Sequence, residues 1–282
     1  MEHYDILIIG GGAAGIAAAK AAAGVKVLLV DRRKELGGVL LQCAHHGFGS
    51  GLTGPEFTKK LMADFPQEVV CHLNTIVCSV SKQKQALLVS PEFGEKTVSF
   101  DQLILATGCR EIPIGALPIA GTRPKGIYTA GQMQEMMNLH GVISDGPVVI
   151  LGSGDLGLIM AKQVAEAGRD VTLIEKREAC GGMARNQRCL REYPIRLICN
   201  TTVSEVFGAK RLEGVLLSNG RYISCKTLLI AVGLVPDREL VKNLKDPDWL
   251  RLCGNCNAVH AMVEGVTSEG KQAGLAAYEL TR

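Results

Sequence analysis

"DILIIGGGAAGIAAAKAAAGVKVLLVDRR", Asp5–Arg33, and "VVILGSGDLGLIMAKQVAEAGRDVTLIEKR", Val148–Arg177, make the same statement twice in one chain. Each runs from an apolar stretch into G-x-G-x-x-G, then a helix-forming segment, a glycine, a second apolar stretch and an acid. The glycines are Gly10, Gly12 and Gly15 in the first copy and Gly152, Gly154 and Gly157 in the second. The acids, Asp31 and Glu175, follow the first glycine of each set by 21 and 23 positions. The pattern has a mechanism. The first glycine permits a tight strand-to-helix turn, the second lets backbone approach a pyrophosphate, and the third lets helix and strand pack closely. The pyrophosphate then lies on the positive end of the helix dipole, against N–H groups with no intrahelical partner. The distal acid accepts hydrogen bonds from ribose hydroxyls. One such motif alone can be an ordinary glycine-rich turn. Two complete copies, each with its strand, helix and acid, make chance a poor account. Two dinucleotide sites in one chain point to a flavin paired with a nicotinamide.

The rest of the composition narrows the class. A chain of 282 residues has room for one large domain or two ordinary ones, and 47% hydrophobic with 21% charged residues suits a globular core. The net charge of +3 is too balanced for a nucleic-acid or anionic-membrane partner. Aromatic residues make up only 4% of the chain, too few for base-stacking platforms. The opening "MEHYDILIIGGG" places an acid where a signal peptide needs basic residues, and "GIAAAKAAAGVKVLLV" is interrupted by Lys20 and Lys26. The reading is therefore a cytoplasmic protein without an integral membrane segment, its ten cysteines mostly reduced and buried.

Further segments extend the two motifs. "FDQLILATGCREIP", Phe100–Pro113, is a strand ending in Ala106-Thr107-Gly108, small residues suited to backbone passing close to a ligand. "KTLLIAVGLVPDREL", Lys226–Leu240, gives the second copy its counterpart in Ala231-Val232-Gly233. "VSPEFGEKTVSF" reads as a β-hairpin connection, and "REIPIGALPIAGTRPKG" as a proline- and glycine-rich crossing between domains.

With these residues in view, the chain resembles the two-dinucleotide-binding flavoproteins of the pyridine nucleotide–disulfide oxidoreductase superfamily. The resemblance implies an α/β fold of two Rossmann-like domains, the second inserted in the first. FAD would belong to the N-terminal domain, 1–111 and 236–282, and NAD(P)H to the insert, 112–235. It makes Gly10, Gly12, Ala13, Ala14, Gly15, Asp31, Arg32, Gly38, Thr107 and Gly108 candidate FAD-binding residues. Gly152, Gly154, Asp155, Leu156, Gly157, Glu175, Val232 and Gly233 become candidates for the nicotinamide nucleotide. The returning chain, "CGNCNAVHAMVEGVTSEGKQAG" from Cys253, stands where the family has a strand, Gly-Asp and a helix aimed at the flavin. Gly254 and Asn255 match that Gly-Asp, with an amide in place of the carboxylate, and the helix is expected over about Met262–Leu280. The segment "DRELVKNLKDPDW", 237–249, is short for the family, which implies a more exposed or less tightly held flavin.

The resemblance narrows through "GGVLLQCAHHGFG", "ATGCREIP", "GTRPKGIYTAGQMQ" and the return segment. These are similar to the FAD/NAD-linked oxidoreductases associated with anaerobic-type glycerol-3-phosphate dehydrogenases, and to the flavin subunits of opine oxidase and hydrogen cyanide synthase. The narrower resemblance implies an electron-transfer flavoprotein working with a separately encoded dehydrogenase subunit; oligomerisation is left open. A carboxylate at Glu175 favours NAD(H) over NADP(H), although Lys176 and Arg177 follow it.

Each candidate reactive side chain has two readings. Cys43 is a candidate flavin-adduct or redox cysteine, or a buried small hydrophobe. His46, beside His45, is a candidate proton-steering group, or a loop histidine bonded to backbone. Cys253-x-x-Cys256 is either a redox pair or two ordinary neighbours in the return turn. Zinc is not expected, because a second ligand pair at metal spacing is missing. Two alternatives to the hydride-transferring flavoprotein stand. One is a thiol–disulfide reductase using Cys253/Cys256 or Cys43; the other is a non-catalytic nucleotide-binding subunit of a dehydrogenase complex.

Overall fold

The computed structural model describes residues 1–245 and 247–282, so one position of the short 237–249 segment, Asp246, lies outside the described residues. The chain divides into two compact units, Met1–Arg110 with Val235–Arg282, and Glu111–Leu234.

Among the described residues the first unit runs β1 (Glu2–Ile9), α1 (Ala13–Ala21), β2 (Val27–Val30), α2 (Gly54–Met62), β3 (Val70–His72), β4 (Ile76–Val80), β5 (Gln85–Ser90) and β6 (Gly94–Leu105). Strand β7 (Cys109–Glu111) leads into the second unit. That unit holds β8 (Ala120–Gly121), β9 (Ile127–Thr129), α3 (Ala130–His140), β10 (Val148–Leu151), α4 (Asp155–Glu166) and β11 (Val171–Ile174). It continues with α5 (Ala184–Gln187), α6 (Cys189–Glu192), β12 (Ile195–Ile198), β13 (Val203–Phe207), β14 (Gly214–Leu217), β15 (Tyr222–Ser224) and β16 (Thr227–Ile230). Strand β17 (Leu234–Pro236) leads back, and β18 (Leu250–Leu252) and α7 (Val263–Glu279) complete the first unit.

The first unit's sheet has the order β3-β2-β1-β6-β5-β4, with β18 also paired to β6. Strands β3, β2, β1, β6 and β18 run parallel, while β4, β5 and the start of β6 form an antiparallel meander. Strand β6 changes partner along its length. Gly94–Ser99 pairs with β5, and Leu103–Leu105 takes β18 on that side instead. The second unit has a parallel sheet, β12-β11-β10-β16-β9, and a smaller sheet, β15-β14-β13-β8. A parallel sheet must be covered on both faces, and here it is. In β1, Leu7 and Ile9 enter one apolar cluster, Ile6 and Ile8 the other. In β10, Val148 and Ile150 face α3 and α4, while Val149 and Leu151 pack with β13–β15. Period-2 side-chain alternation thus gives each unit one cluster per sheet face. No helix among the described residues is long and apolar enough to cross a membrane.

Candidate nucleotide-binding sites

Both glycine turns stand at the carboxyl ends of central parallel strands, where open α/β sheets present ligands. The Gly10 N–H donates to Val30 O (2.8 Å) and the Ala106 N–H to Ile9 O (2.8 Å). The second unit repeats this with Gly152 N–H to Ile174 O and Ala231 N–H to Leu151 O, both 2.8 Å. A Cβ on Gly10 or Gly152 would overlap the carbonyl oxygen of Ala106 or Ala231. A Cβ on Gly15 or Gly157 would overlap the carbonyl oxygen of Gly10 or Gly152. Gly12 and Gly154 differ: a Cβ there meets nothing within 4 Å. Space over these two residues is open, which a pyrophosphate needs and the fold does not.

The helices that begin at these turns are left uncapped. Gly12 and Gly154 are the N-cap residues of α1 and α4, and neither start has a side-chain cap. By contrast, α2 and α3 start with complete capping boxes, Thr53 with Glu56 and Thr129 with Gln132. The first N–H groups of α1 and α4 are thus left without a side-chain acceptor, the arrangement in which a helix start can receive an anion.

The distal acids brace the turns. The Gly11 N–H donates to Asp31 Oδ2 (2.5 Å) and the Arg33 N–H to Asp31 Oδ1 (2.7 Å). In the second unit the Ser153 N–H donates to Glu175 Oε2 (3.0 Å) and the Arg177 N–H to Glu175 Oε1 (3.0 Å). Glu175 carries more: it also accepts from the Ser153 hydroxyl and from Arg177 Nε at 3.0 Å. Burial raises the Glu175 pKa, but the hydrogen bonds from Arg177 and Ser153 outweigh it and bring it down to about 2. Arg177 is thus spoken for by a carboxylate, while Arg32 stays exposed beside Asp31.

The duplication runs past the two quoted segments. "DRRKELGG", Asp31–Gly38, lines up with "EKREACGG", Glu175–Gly182. Gly37 N–H donates to Gly11 O (2.7 Å), and Gly181 N–H to Ser153 Oγ (2.9 Å), so each Gly-Gly closes over its own turn. Gly38, at φ +57°, would put a Cβ 3.0 Å from Gly12 Cα, so it forms a wall of the same space. Further on, Asn74 and Asn200, both left-handed at φ 49° and 55°, donate their N–H groups to Arg33 O and Arg177 O. The following threonines, Thr75 and Thr201, donate to Asp31 O and Glu175 O. Sequence reading passed over Gly37, Gly181, Asn74 and Asn200, although Gly-Gly and Asn-Thr recur in both copies and carried the signal.

The remaining candidates divide. Asp155 opens α4, and its Oδ1 accepts from Met183 N–H (2.8 Å) and Asn186 Nδ2 (2.6 Å), tying the Gly182 loop to the helix start; Leu156 follows, half-buried. Thr107 Oγ1 donates to Asp237 O (2.6 Å), and Gly108 at φ +78° accepts the Asp237 N–H (3.0 Å). Val232 is exposed, and Gly233 adopts φ +149°. The return turn reaches α1: a Cβ on Gly254, at φ +65°, would lie 2.7 Å from Ala14 Cβ. Asn255 Oδ1 accepts the His260 N–H at 3.0 Å, so its acceptor is engaged within the turn.

The cysteines give little support to thiol chemistry. Cys253 and Cys256 are free, almost wholly buried, and belong to different faces of the sheet's core. Cys256 Sγ lies 2.9 Å from Leu105 O and 3.2 Å from Cys253 O. Burial pushes both thiols well above their ordinary pKa, the opposite of what a nucleophile needs. Cys43 is buried, donates to Val39 O (3.3 Å), and has its pKa pushed up to about 12 by burial. His46 is exposed, with Nδ1 2.9 Å from Gly51 O, the arrangement of a loop histidine bonded to backbone.

The fold is that of a two-unit α/β protein in which each unit carries a glycine turn of the Rossmann type at the end of a central parallel strand. The chain belongs to the pyridine nucleotide-disulphide oxidoreductase family, which it matches over residues 4–247, and this is a family of FAD- and NAD(P)-dependent oxidoreductases. It is 27% identical to hydrogen cyanide synthase subunit HcnB of Pseudomonas protegens, over 88% of this chain and 62% of that protein. It is 26% identical to an opine oxidase subunit of Rhizobium meliloti, over 85% of this chain and 52% of that one. The chain thus spans little more than half the length of these relatives. Its fold matches the crystal structure of T. acidophilum thioredoxin reductase with a TM-score of 0.80, covering 99% of each chain at 22% identity.

Proposed function

We propose that this chain binds FAD in its first unit and NAD(H) in its second. It would exchange a hydride between them and pass the electrons to or from a separately encoded dehydrogenase subunit. One observation carries the reading. The carboxylate-braced turn with an uncapped helix and open space over its middle glycine occurs twice, at Gly12 and at Gly154. In this reading Gly10, Gly12–Gly15 and Gly38 hold the FAD pyrophosphate, and Asp31 accepts from its ribose with Arg32 alongside. Thr107, Gly108, Gly254 and Asn255 border the rest of the cofactor. Gly152 and Gly154–Gly157 hold the NAD(H) pyrophosphate, Glu175 its ribose, and Val232 and Gly233 lie beside it.

The bound cofactors supply the hydride chemistry. The protein's part is to bind and orient. The positive ends of α1 and α4 meet the pyrophosphates. Glu175, ionised down to about pH 2, repels a ribose 2′-phosphate, which favours NAD(H) over NADP(H). Arg177 is withheld from such a phosphate by its pairing with Glu175. The partner is inferred from the two relatives, each a subunit by name. Ten free thiols fit a reducing, cytoplasmic setting.

The test is an anaerobic titration of the FAD-loaded protein with NADH, and separately with NADPH. Stoichiometric bleaching of the flavin by NADH, with NADPH much less effective, is expected. A flavin that neither nucleotide reduces overturns hydride transfer and leaves a nucleotide-binding subunit without catalysis. A long-wavelength charge-transfer band at the two-electron stage would instead favour the thiol–disulfide reading.

A further inference from the structure

The return turn, Gly254–Asn257, is gripped at its two ends by side chains of opposite charge. At the amide end, Glu269 Oε2 accepts the Gly254 N–H (2.9 Å), and both Glu269 oxygens lie 3.4 Å from Asn257 Nδ2. His260 stands behind it, its Nε2 3.0 Å from Glu269 Oε1. At the carbonyl end, Arg238 Nε donates to Cys256 O (2.6 Å) and Arg238 Nη2 to Asn257 O. The turn's own peptide dipoles point the same way, since the Asn257 and Ala258 N–H groups donate back to Gly254 O at 2.8 and 3.2 Å. A carboxylate on free N–H and a guanidinium on free C=O are the stronger, charge-assisted kind of hydrogen bond.

The turn also has anchors that carry no charge. Its buried anchors, the Cys253 and Cys256 side chains, already fix it to the sheet at Leu105. What the charged pair adds is placement. A Cβ on Gly254 would lie 2.7 Å from Ala14 Cβ in the first turn of α1, and one on Gly270, next to Glu269, would overlap the Ala14 carbonyl oxygen. The clamp therefore fixes the turn against the helix start whose N–H groups are uncapped.

We propose that Glu269 and Arg238 are positioning residues for the FAD site, holding Gly254–Asn255 in register with the start of α1 and setting the charge felt at that edge of the cofactor. This rests on the reading that the first unit binds FAD. The experiment measures FAD affinity and flavin midpoint potential in the full chain. Glu269→Ala is expected to weaken FAD binding about tenfold to a hundredfold, the loss of one charge-assisted bond. Glu269→Gln keeps an acceptor for the Gly254 N–H, so it recovers most of the affinity. It also raises the midpoint potential, because an anion near the flavin is gone. Arg238→Met weakens FAD and lowers the potential. Wild-type affinity and potential in both Glu269→Ala and Arg238→Met overturn the proposal. If those two variants do not fold, an unchanged potential in folded Glu269→Gln overturns it equally. A wild-type chain that takes up no FAD overturns the underlying reading, and this proposal with it.

Discussion

Gly12 and Gly15 lie in one turn of one helix, yet their substitutions have opposite consequences. A methyl on Gly15 overlaps the Gly10 carbonyl oxygen, so Gly15→Ala is expected to destabilise by about 1–3 kcal/mol, read as a lower Tm. A methyl on Gly12 meets nothing, and its φ of −78° suits alanine, so Gly12→Ala should keep the Tm. It fills the space reserved for the pyrophosphate and should lose FAD in equilibrium dialysis; retained FAD would remove this residue from the site. Glu175 offers a second residue-level test. Glu175→Ala releases Arg177 and removes the charge that repels a 2′-phosphate, so the NADPH-to-NADH preference should rise by about tenfold or more in binding titrations. The lowered pKa of Glu175 has a sign. Its contribution to stability is complete above about pH 4.5 and is lost as pH falls through about 2, so acid titration of folding checks it. Single substitutions Cys43→Ser and Cys253→Ser should leave NADH-driven flavin reduction in place, since both thiols are buried and their pKa values raised. Loss of turnover in either would restore the thiol reading.

Between elements, the seam of α1 and α7 is built of small residues. Gly270 and Gly274 on α7 press onto the Ala14 and Ala18 carbonyl oxygens. Gly274→Val forces the helices apart and is expected to cost about 1–3 kcal/mol in denaturant melts. An unchanged midpoint would show that the seam yields. Here the sequence was only partly legible. "VEGVTSEGKQAGLAAYE" reads as a helix, and the structure has it over Val263–Glu279. Nothing local says which surface its glycines meet, because Ala14 and Ala18 come from the other end of the chain. The same reason hid Glu269 and Arg238, whose partners are backbone groups brought near by packing. The distal acids were legible because their spacing from the glycines is set within one strand–helix–strand unit.

At the scale of the molecule, the α/β class was readable because parallel strands, buried on both faces, leave continuous apolar runs such as "ILII" and "VVIL" bounded by glycine turns. The antiparallel additions were fainter: β4 and β15 are short and largely exposed, so their apolar signal is thin. The two apolar clusters of the second unit draw only on residues between Ile114 and Ala231. A fragment of Glu111–Leu234 is therefore expected to melt cooperatively and to bind NADH, as followed by circular dichroism and fluorescence titration. A non-cooperative melt would show that the unit depends on the rest of the chain.

The first unit is discontinuous, and during translation that imposes a timetable. The segment Glu111–Leu234 leaves the ribosome with all its strands while Met1–Arg110 still lacks β18 and α7. The alanine-lined flank of α1 must wait in a nascent chain for its glycine-faced partner, so the inserted unit has its strands in hand before the outer one can close.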